Sequence, residues 1–275
     1  MRKIIYYQTF CGIENLKNSG ITHIHVSSIH FGINSNNNTK YIHLNDYSPY
    51  NKIFDNLWNE LEEAYGYNIK IILMVGGAGG AYGAMFNSDV DFEQYYGFLK
   101  KLIADKKIIS GIDLDIEEPV SLKNIKKLIK RINTDFGDDF TISMAPVQYA
   151  LETDSPGLGG FVYKDLIESA EGKKISYLNT QFYDDFSLES YDKIIQNGYS
   201  ANKIVMGMIA SDPQTMKDNY QQLKEVYSKY KSDFGGTFLW EYYLDKNWIN
   251  NIDKILGWIS NYISNLISNL INIIY

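Results

Sequence analysis

Three acidic residues alternate with apolar ones in one short stretch of the sequence: Asp113, Asp115 and Glu117. If the stretch is a β-strand, its period-two alternation places all three carboxyl groups on one face and Leu114 and Ile116 on the other. Like charges crowded on one face repel each other and hold protons more tightly, which has no benefit for folding. The row therefore indicates a site of chemistry.

Other interpretations of the three acids are weaker. A solvated edge strand can alternate in this way, but edges usually carry Lys or mixed charge. A calcium loop needs Gly at its sixth position and Glu at its twelfth, where this chain has Glu118 and Asn124, so the calcium loop is excluded. A magnesium site has no second cluster of ligands in view, and we predict no metal and no cofactor.

Segments of β character alternate with amphipathic helices along the chain. Strands are predicted at 3–9, 22–31, 69–75, 108–117, 140–146, 175–183, 203–210 and 235–241. Helices are predicted at 53–65, 92–104, 121–136, 163–171, 188–197 and 214–229, and long loops at 32–50 and 147–162. This order predicts an α/β fold, a single-domain (β/α)8 TIM barrel. In such a barrel the site lies at the carboxyl ends of the strands, where Glu117 is expected.

The acidic row carries a resemblance to a known family. The segment 111–117, Gly-Ile-Asp-Leu-Asp-Ile-Glu, resembles the fourth-strand signature Asp-Gly-x-Asp-x-Asp-x-Glu of family 18 glycoside hydrolases, the chitinase family, with Ser110 in place of the leading Asp. Four further segments are similar to family motifs: Ser-x-Gly-Gly (with Met74 for Ser), Met-Ala-Pro, Gln-Phe-Tyr-Asn and Gly-Gly-x-x-Leu-Trp. They lie at 74–77, 144–146, 181–184 and 235–240.

All five motifs occur in the family's order, and the resemblance covers roughly residues 3–260. It is closest to the short plant- and fungal-type chitinases with a single barrel. Between Ile204 and Thr237 there is room for one helix, so the insertion domain of larger relatives is expected to be absent. An open, shallow cleft suits cleavage inside a sugar chain.

The resemblance implies substrate-assisted hydrolysis by Glu117, Asp115, Asp113 and Tyr183. Glu117 is the acid and base, and the substrate's own N-acetyl carbonyl attacks the anomeric carbon. Asp115 accepts a hydrogen bond from the acetamido N–H, Tyr183 holds the acetamido oxygen, and Asp113 shares a proton with Asp115. Because the acids are coupled, their protons are expected to leave as a set.

The resemblance also implies a set of substrate-binding residues. Trp240 forms the floor under the sugar, and Gln181 and Met144, pointing into the top of the barrel, shape the acetamido pocket. The remaining members are Tyr6, a partner of Asp113, the pair Gly76 and Gly77, and Asp184. Trp240, Tyr183 and Tyr6 also fit an ordinary role in the core. His23 and His25 share a strand face, which favours a structural pair.

Two residues depart from the family pattern, Ser110 and Met74. In relatives a serine at the Met74 position donates a hydrogen bond to the acid that matches Asp113. Losing this donor is expected to raise the pKa of the buried Asp113–Asp115 pair and to shift the pH optimum.

Net charge and cysteine content limit the partners and the class of protein. The formal net charge is −7, which argues against nucleic acid, and Cys11 is the single cysteine, so no internal disulfide forms. No signal peptide is visible in the N-terminal residues. We therefore expect a protein that is intracellular or virion-associated, or one that is secreted with its leader removed.

The last 21 residues, Ile255 to Tyr275, contain no charged side chain. Ser and Asn recur in every turn, so a membrane span is disfavoured. We predict that the first part is the eighth barrel helix, which gives a catalytic barrel at 1–262 and an uncharged amphipathic tail at 263–275. The tail can contact a partner chain in an oligomer or a membrane surface.

Three functions are compatible with the sequence. The first is an endo-acting hydrolase of chitin or chito-oligosaccharides, retaining and β-1,4-specific. The second is an endo-β-N-acetylglucosaminidase that cuts N-glycans with the same residues. The third is a catalytically weak or silent chitin-binding barrel, which the presence of Glu117, Asp115 and Tyr183 disfavours.

Overall fold

The computed structural model describes residues 1–257 and contains nine strands in that range. They are β1 (Arg2–Tyr7), β2 (His23–Ile33), β3 (Lys40–Leu44), β4 (Lys70–Gly76), β5 (Ile109–Asp115), β6 (Thr141–Met144), β7 (Tyr177–Gln181), β8 (Ile204–Ile209) and β9 (Gly236–Trp240). All except β3 pair in parallel, and β1 pairs with both β2 and β9, which closes the barrel. The predicted (β/α)8 barrel is confirmed, and its strand boundaries differ from the predicted ones by one or two residues.

Helices follow the strands in the order expected for this fold. They are α1 (Asp55–Gly66), α2 (Tyr82–Met85), α3 (Asp89–Asp105), α4 (Leu122–Phe136), α5 (Gln148–Glu152), α6 (Tyr163–Ile167), α7 (Leu188–Gln196), α8 (Pro213–Tyr230) and α9 (Trp248–Leu256). The loop predicted at 147–162 contains α5, and α6 is shorter than predicted. Within residues 1–257 no helix has the length and apolar character needed to cross a bilayer.

Helix α4 illustrates how the sequence fixes an element. Ser121 accepts a hydrogen bond from the backbone N–H of Asn124 and so caps the first turn. The helix ends at Gly137, whose φ of +82° suits glycine. Its buried residues recur at helical spacing and pack on the outside of the barrel: Ile125, Leu128, Ile129 and Ile132.

One strand lies inside a segment predicted as a loop. Strand β2 continues past the rim of the barrel and folds back as β3, in an antiparallel hairpin that pairs His30 with His43. Ile42 and Leu44 of β3 are buried while Tyr41 is exposed, so the strand alternates, but over too few residues to stand out beside the Asn-rich turn.

A β-bulge divides β2 into two parts. The register with β4 shifts between Val26 and Ile29. Before the bulge Ile24 and Val26 pack in the outer core; after it Ile29 and Phe31 do so. An extra residue in a strand reverses which face each later side chain occupies, so His30 faces the mouth of the barrel, where it lines the main pocket.

The barrel holds two layers of core. A small cluster fills its interior, made of Ile4, Tyr6, Met74, Tyr177, Val205 and Phe238. A much larger cluster lies between the strands and the surrounding helices. Burial of this apolar surface provides the main driving force for folding.

Two predictions concern the segments that follow β8: the connection to β9 and the C-terminal helix. Strands β8 and β9 are joined by α8 and one short 3-10 turn, Lys231–Asp233, so the expected absence of an insertion domain here is confirmed. The last described helix is α9, which starts at Trp248, seven residues earlier than the helix predicted from Ile255. The boundary at 262 and the tail at 263–275 lie outside the described residues.

Candidate active site

The acidic row lies at the carboxyl end of β5, where the barrel opens. Asp113 and Asp115 are buried inside the barrel, and Glu117 follows the strand and is half-buried. Asp115 and Glu117 border a pocket of about 290 Å³. The pocket is lined by Gln8, Ser28, His30, Met74, Gly77, Ala78, Gly79, Asp115, Glu117, Gln181, Tyr183, Ile209 and Trp240.

Asp113 is contacted by four polar side chains on four different strands. Its Oδ1 accepts from Ser143 Oγ (2.5 Å) and Asn179 Nδ2 (3.2 Å). Its Oδ2 accepts from the Tyr6 hydroxyl (2.7 Å) and lies 3.3 Å from His25 Nδ1. A buried carboxylate with this many donors is strongly favoured over the protonated acid.

The pKa values of the two buried acids are therefore shifted in opposite directions. Burial by itself raises the pKa of Asp113, but the charge and hydrogen bond of His25, with the hydrogen bonds from Ser143 and Tyr6, outweigh it and lower that pKa. Burial, followed by the charges of Glu117 and Asp113, raises the pKa of Asp115 well above its ordinary value. Within the pair, Asp115 therefore holds a proton more tightly than Asp113 does.

The expectation for Met74 was a raised pKa for the Asp113–Asp115 pair. It is wrong for Asp113, while the pKa of Asp115 is raised by burial and by the charges of Glu117 and Asp113. Met74 does pair with Asp113 in register and faces it without a hydrogen to donate. Its sulfur instead accepts from Ser27 Oγ at 2.9 Å. The pKa of Asp113 is lowered rather than raised because other side chains supply the missing donor. Ser110 lies at the opposite end of β5, where its hydroxyl donates to the carbonyl oxygen of Ile71 (3.2 Å).

Gln181 joins the two acids that border the pocket. Its Nε2 lies 3.3 Å from Asp115 Oδ1, 3.4 Å from Glu117 Oε1 and 3.0 Å from the carbonyl oxygen of Ala145. An amide nitrogen has two hydrogens. One hydrogen is donated to the carbonyl oxygen of Ala145 and anchors the side chain, and the two carboxyl groups share the other. Gln181 thus fixes the relative position of Asp115 and Glu117.

Two aromatic side chains, Tyr183 and Trp240, border the pocket. Trp240 packs 5.4 Å from the ring of Tyr6 and is half-buried, so its indole serves both the core and the pocket. Burial, then the charges of Asp115, Glu117 and Asp113, raise the pKa of Tyr183 well above its ordinary value. Tyr183 therefore keeps its hydroxyl hydrogen and is a donor at neutral pH. Tyr6 lies behind the pocket, against Asp113.

The paired glycines after β4 let the backbone approach Asp115 closely. A Cβ on Gly76 would lie 2.1 Å from the backbone oxygen of Asp115, and one on Gly77 would lie 3.4 Å from its Oδ2. Both have positive φ, +97° and +86°. Only glycine tolerates both the close contact and the positive φ at position 76. The backbone N–H of Gly77 donates to the backbone oxygen of Asp115 at 3.0 Å.

Two side chains hold the loop that continues from these glycines. One oxygen of the Glu118 carboxyl group accepts from the backbone N–H groups of Ala81 and Tyr82. On the other side, His30 Nδ1 donates to the carbonyl oxygen of Gly80 (2.8 Å). The acid next to Glu117 is thus engaged with backbone, and the pocket wall at 77–79 is supported from both ends.

Three of the predicted site residues lie elsewhere than expected. Met144 pairs in register with Leu114, which faces outward, so Met144 packs in the outer core instead of pointing into the barrel. Asp184 is exposed and is not among the residues that line the pocket. Gly76 supports Asp115 from behind, and only its neighbour Gly77 reaches the pocket wall.

Several residues that belong to the site were not predicted. Gln8, Ser28, His30 and Ile209 line the pocket, and Ser143 and Asn179 bind Asp113. Strand alternation could have found Ser143, since it pairs with Asp113 and shares its face. Ser28 and His30 depend on the bulge, for which the sequence gives no clear signal.

No metal-binding arrangement is found within residues 1–257, where no three His, Cys, Asp or Glu side chains are grouped so that they could hold an ion. The acids of the row are instead engaged with donors of the protein. The chemistry available is that of the half-buried carboxyl group of Glu117, the buried carboxyl group of Asp115, whose pKa is raised, and the hydroxyl group of Tyr183.

Comparison with solved structures identifies close relatives of the whole barrel. The chain is 33% identical to a fungal endo-beta-N-acetylglucosaminidase from glycosyl hydrolase family 18, with a TM-score of 0.81, over 93% of this chain and 98% of that one. It is 31% identical to the chitinase ChiC from Aspergillus fumigatus, with a TM-score of 0.79, over 88% and 91%. A family 18 chitinase from Pseudoalteromonas aurantia shares the fold (TM-score 0.72, 19% identity, 93% and 100% covered).

Two other comparisons gave no match: no family model and no curated protein sequence corresponds to this chain. The structural relatives carry the assignment, because identity above 30% extends over nearly the full length of a family member. The sequence motifs and the barrel agree with it. The chain belongs to glycoside hydrolase family 18.

Proposed function

We propose that this hydrolase cleaves β-1,4 bonds within chains of N-acetylglucosamine, as in chitin or chito-oligosaccharides, with retention of configuration. One observation carries the proposal. Glu117 and Asp115 border the same pocket as Tyr183, and Gln181 ties the two carboxyl groups together. Two carboxyl groups and a hydroxyl group that border one pocket support the proposed roles of an acid, an acceptor and a hydroxyl donor.

The first step breaks the glycosidic bond. Glu117 gives its proton to the glycosidic oxygen as the bond to the anomeric carbon breaks. The carbonyl oxygen of the substrate's N-acetyl group bonds to that carbon and forms an oxazolinium ion, the substrate-assisted exception to the two-carboxylate scheme. Tyr183 donates its hydroxyl hydrogen to the acetamido oxygen and holds it in line.

The second step consumes water. The Glu117 carboxylate takes a proton from a water molecule, whose oxygen bonds to the anomeric carbon as the oxazolinium ring opens. Attack from the face that the leaving group occupied restores the original configuration. Glu117 ends the cycle protonated, as it began.

Asp115 and Asp113 support the positive charge of the intermediate. Asp115 accepts the hydrogen bond of the acetamido N–H. Beneath it, Asp113 is held as an anion by its donors, and a fixed negative charge in a buried environment is screened weakly. Such preorganised charge is a major source of rate enhancement. Trp240 supports the apolar face of the sugar from below.

Cleavage within the chain, rather than at its end, is supported by the short connection between β8 and β9. That connection contains α8 and one short 3-10 turn, so no additional domain there walls the cleft. A sugar chain can then extend in both directions from the pocket.

A second candidate substrate is the chitobiose core of N-glycans. It is favoured by the relative named an endo-beta-N-acetylglucosaminidase, which is 33% identical to this chain, against 31% for the chitinase ChiC. The bond cleaved also joins two N-acetylglucosamine units, so the same residues serve both substrates.

The test uses wild type, Glu117→Gln and the exposed control Glu168→Gln. Each is incubated with a fluorogenic chitotrioside and with a high-mannose glycoprotein, from acidic to alkaline pH. Wild type and Glu168→Gln are expected to cleave, and Glu117→Gln to be slower by roughly 100- to 10,000-fold. Cleavage of the glycoprotein alone selects the second candidate. Oligosaccharide binding without cleavage of either substrate by wild type would overturn the proposed mechanism.

A further inference from the structure

A histidine lies beneath the acidic row that neither the motifs nor the mechanism uses. His25 is fully buried within the barrel, on β2. It pairs in register with Tyr6 of β1, and the two rings lie 4.9 Å apart. Both side chains reach Oδ2 of Asp113, so β1 and β2 together supply the donors for one of its two oxygens.

The partners of the two ring nitrogens fix the role of each. His25 Nδ1 lies 3.3 Å from Asp113 Oδ2 and 3.4 Å from Asn179 Nδ2, an amide nitrogen that donates to Asp113 Oδ1 at 3.2 Å. His25 Nε2 lies 3.1 Å from the hydroxyl oxygen of Tyr177. An ionised carboxylate only accepts, so Nδ1 carries the hydrogen, while Nε2 can accept from the Tyr177 hydroxyl. A neutral imidazole then satisfies both contacts, and a protonated one strengthens the first.

Within residues 1–257, Tyr6 is the other side chain that donates to Asp113 Oδ2, and the β4 side of Asp113 supplies no donor. Met74 faces Asp113 across the β4–β5 register but has no hydrogen to donate. The hydroxyls of Ser27 and Ser28 turn toward the sulfur of Met74, at 2.9 and 3.6 Å. His25 therefore takes the place that a short hydroxyl side chain at position 74 would fill.

We propose that His25 is a positioning residue that keeps Asp113 ionised and thereby keeps the proton of the buried pair on Asp115. This inference rests on the proposed function, in which Asp115 faces the substrate and Asp113 supplies a fixed negative charge. His25 touches no substrate and acts through Asp113.

The neighbouring titratable groups do not replace His25. Burial comes first among the causes that raise the pKa values of Tyr6 and Tyr177, which therefore remain hydroxyl donors. Burial, followed by the charge of His25 and of Lys70 and Arg2, lowers the pKa of His23 well below its ordinary value, so His23 stays neutral. The Arg2 guanidinium lies over the ring of Tyr177, 4.4 Å from its centre. On the pocket side, the groups that face the pair are Glu117 and Tyr183.

The consequence for catalysis has a definite direction. The pair works with one proton and loses activity when acid adds a second one, to Asp113. His25 opposes that uptake, so the wild-type enzyme keeps its activity to lower pH than a variant without the donor. Removing His25 moves the acidic limb of the pH–rate profile to higher pH.

The test compares wild type, His25→Phe, His25→Gln and the double variant His25→Phe/Met74→Ser, all as the full chain. The carboxyl groups of Asp113 and Asp115 are titrated by carbon NMR, with assignments from the two Asp→Asn variants. In His25→Phe the midpoint for Asp113 is expected about one pH unit or more above that of wild type. His25→Gln, which keeps a donor, and the double variant, which adds one, are expected to recover part of the shift.

An unchanged midpoint for Asp113 in His25→Phe would overturn the proposal, as would a shift that neither Gln nor Ser recovers. The acidic limb of kcat/KM is expected to move with the midpoint. If wild type cleaves no N-acetylglucosamine substrate, the proposed function fails while the NMR titration still decides the role of His25. If His25→Phe does not fold, nitrogen NMR of the wild-type imidazole decides: a hydrogen on Nδ1 supports the proposal, and a bare Nδ1 overturns it.

Discussion

The side-chain nitrogen of Gln181 lies 3.4 Å from the carboxyl oxygen of Glu117. It lies at almost the same distance from Asp115 and is anchored by a backbone carbonyl. A neutral amide thus sets the spacing between the proposed acid and the acid beside it.

Replacing Gln181 with Leu keeps the volume and removes this donor. Hydrogen bonds to charged groups contribute about 1.5–3 kcal/mol, and each 1.4 kcal/mol is about tenfold in rate. We therefore expect kcat/KM on a soluble chito-oligosaccharide to fall roughly 10- to 100-fold. Gln222→Leu, which removes a hydrogen bond to the backbone N–H of Leu188 outside the pocket, is the matched control. Equal kinetics for the two variants would contradict the role assigned to Gln181.

Tyr183→Phe tests the hydroxyl donor. Within residues 1–257 no group forms a hydrogen bond with the Tyr183 hydroxyl. Removing this hydroxyl is therefore expected to leave the melting temperature unchanged. The loss appears instead in kcat, roughly 10- to 100-fold, because the bond to the acetamido oxygen strengthens as the oxazolinium forms. Tyr243→Phe, at an exposed tyrosine, is the control. A fall in melting temperature with kcat intact would indicate a packing role.

Asp115→Asn is expected to raise stability at neutral pH. The folded-state pKa of Asp115 is raised, so above the unfolded pKa of about 4 the unfolded state releases the proton while the folded state keeps it. The wild-type free energy of unfolding therefore falls as pH rises, and the neutral Asn variant escapes that loss. The gain is expected to grow above pH of about 4 and to vanish below it, as measured by urea unfolding across pH.

Asp113→Asn provides the opposite case. The folded-state pKa of Asp113 is lowered, so its contribution to stability is fully present above the unfolded pKa of about 4 and is lost as pH falls through the folded pKa. The Asn variant is expected to be less stable than wild type at neutral pH, with a difference that shrinks in acid. The same sign of change for both variants would contradict the assignment of the proton to Asp115.

Gly76→Ala tests the close approach of the β4 backbone to Asp115. A Cβ there would lie 2.1 Å from a backbone oxygen at a φ of +97°, which backbone shifts must relieve. Gly160→Ala is the control, since Gly160 has a φ of +76° but nothing within 4 Å of the added Cβ. We expect about 1 kcal/mol of destabilisation at Gly160 and clearly more at Gly76, with activity lost as Asp115 moves. Equal melting temperatures for both variants would show that the loop adapts freely.

The sequence predicted the barrel and the three acids well because both depend on local periodicity. Period-two alternation at 113–117 and apolar spacing at 121–136 need no knowledge of distant residues. Met144 was misplaced because a one-residue difference in register decides which face a strand residue occupies. Only the pairing of Ser143 with Asp113 settles it.

The support of Asp113 was beyond prediction for a different reason. Its donors come from β1, β2, β6 and β7, which are far apart in sequence and meet only inside the closed barrel. Strand β3 was missed because its alternation covers too few residues, and the change of face within β2 was missed because the sequence gives no clear signal for the bulge. The sign of the pKa change at Asp113 followed from these contacts, which motif comparison cannot supply.

The bulge in β2 allows one strand to contribute side chains both to the closed interior of the barrel and to the rim of the pocket. His25, before the bulge, lies in the buried interior, and His30, after it, lines the pocket at the rim. Insertions at the hairpin tip, in the Asn-rich turn after Ile33, can therefore vary what the rim presents to a sugar chain while the interior stays as it is. A deletion at Ser27 or Ser28 would instead exchange the two faces of the hairpin, so evolution can lengthen this strand at its tip far more easily than shorten it at its middle.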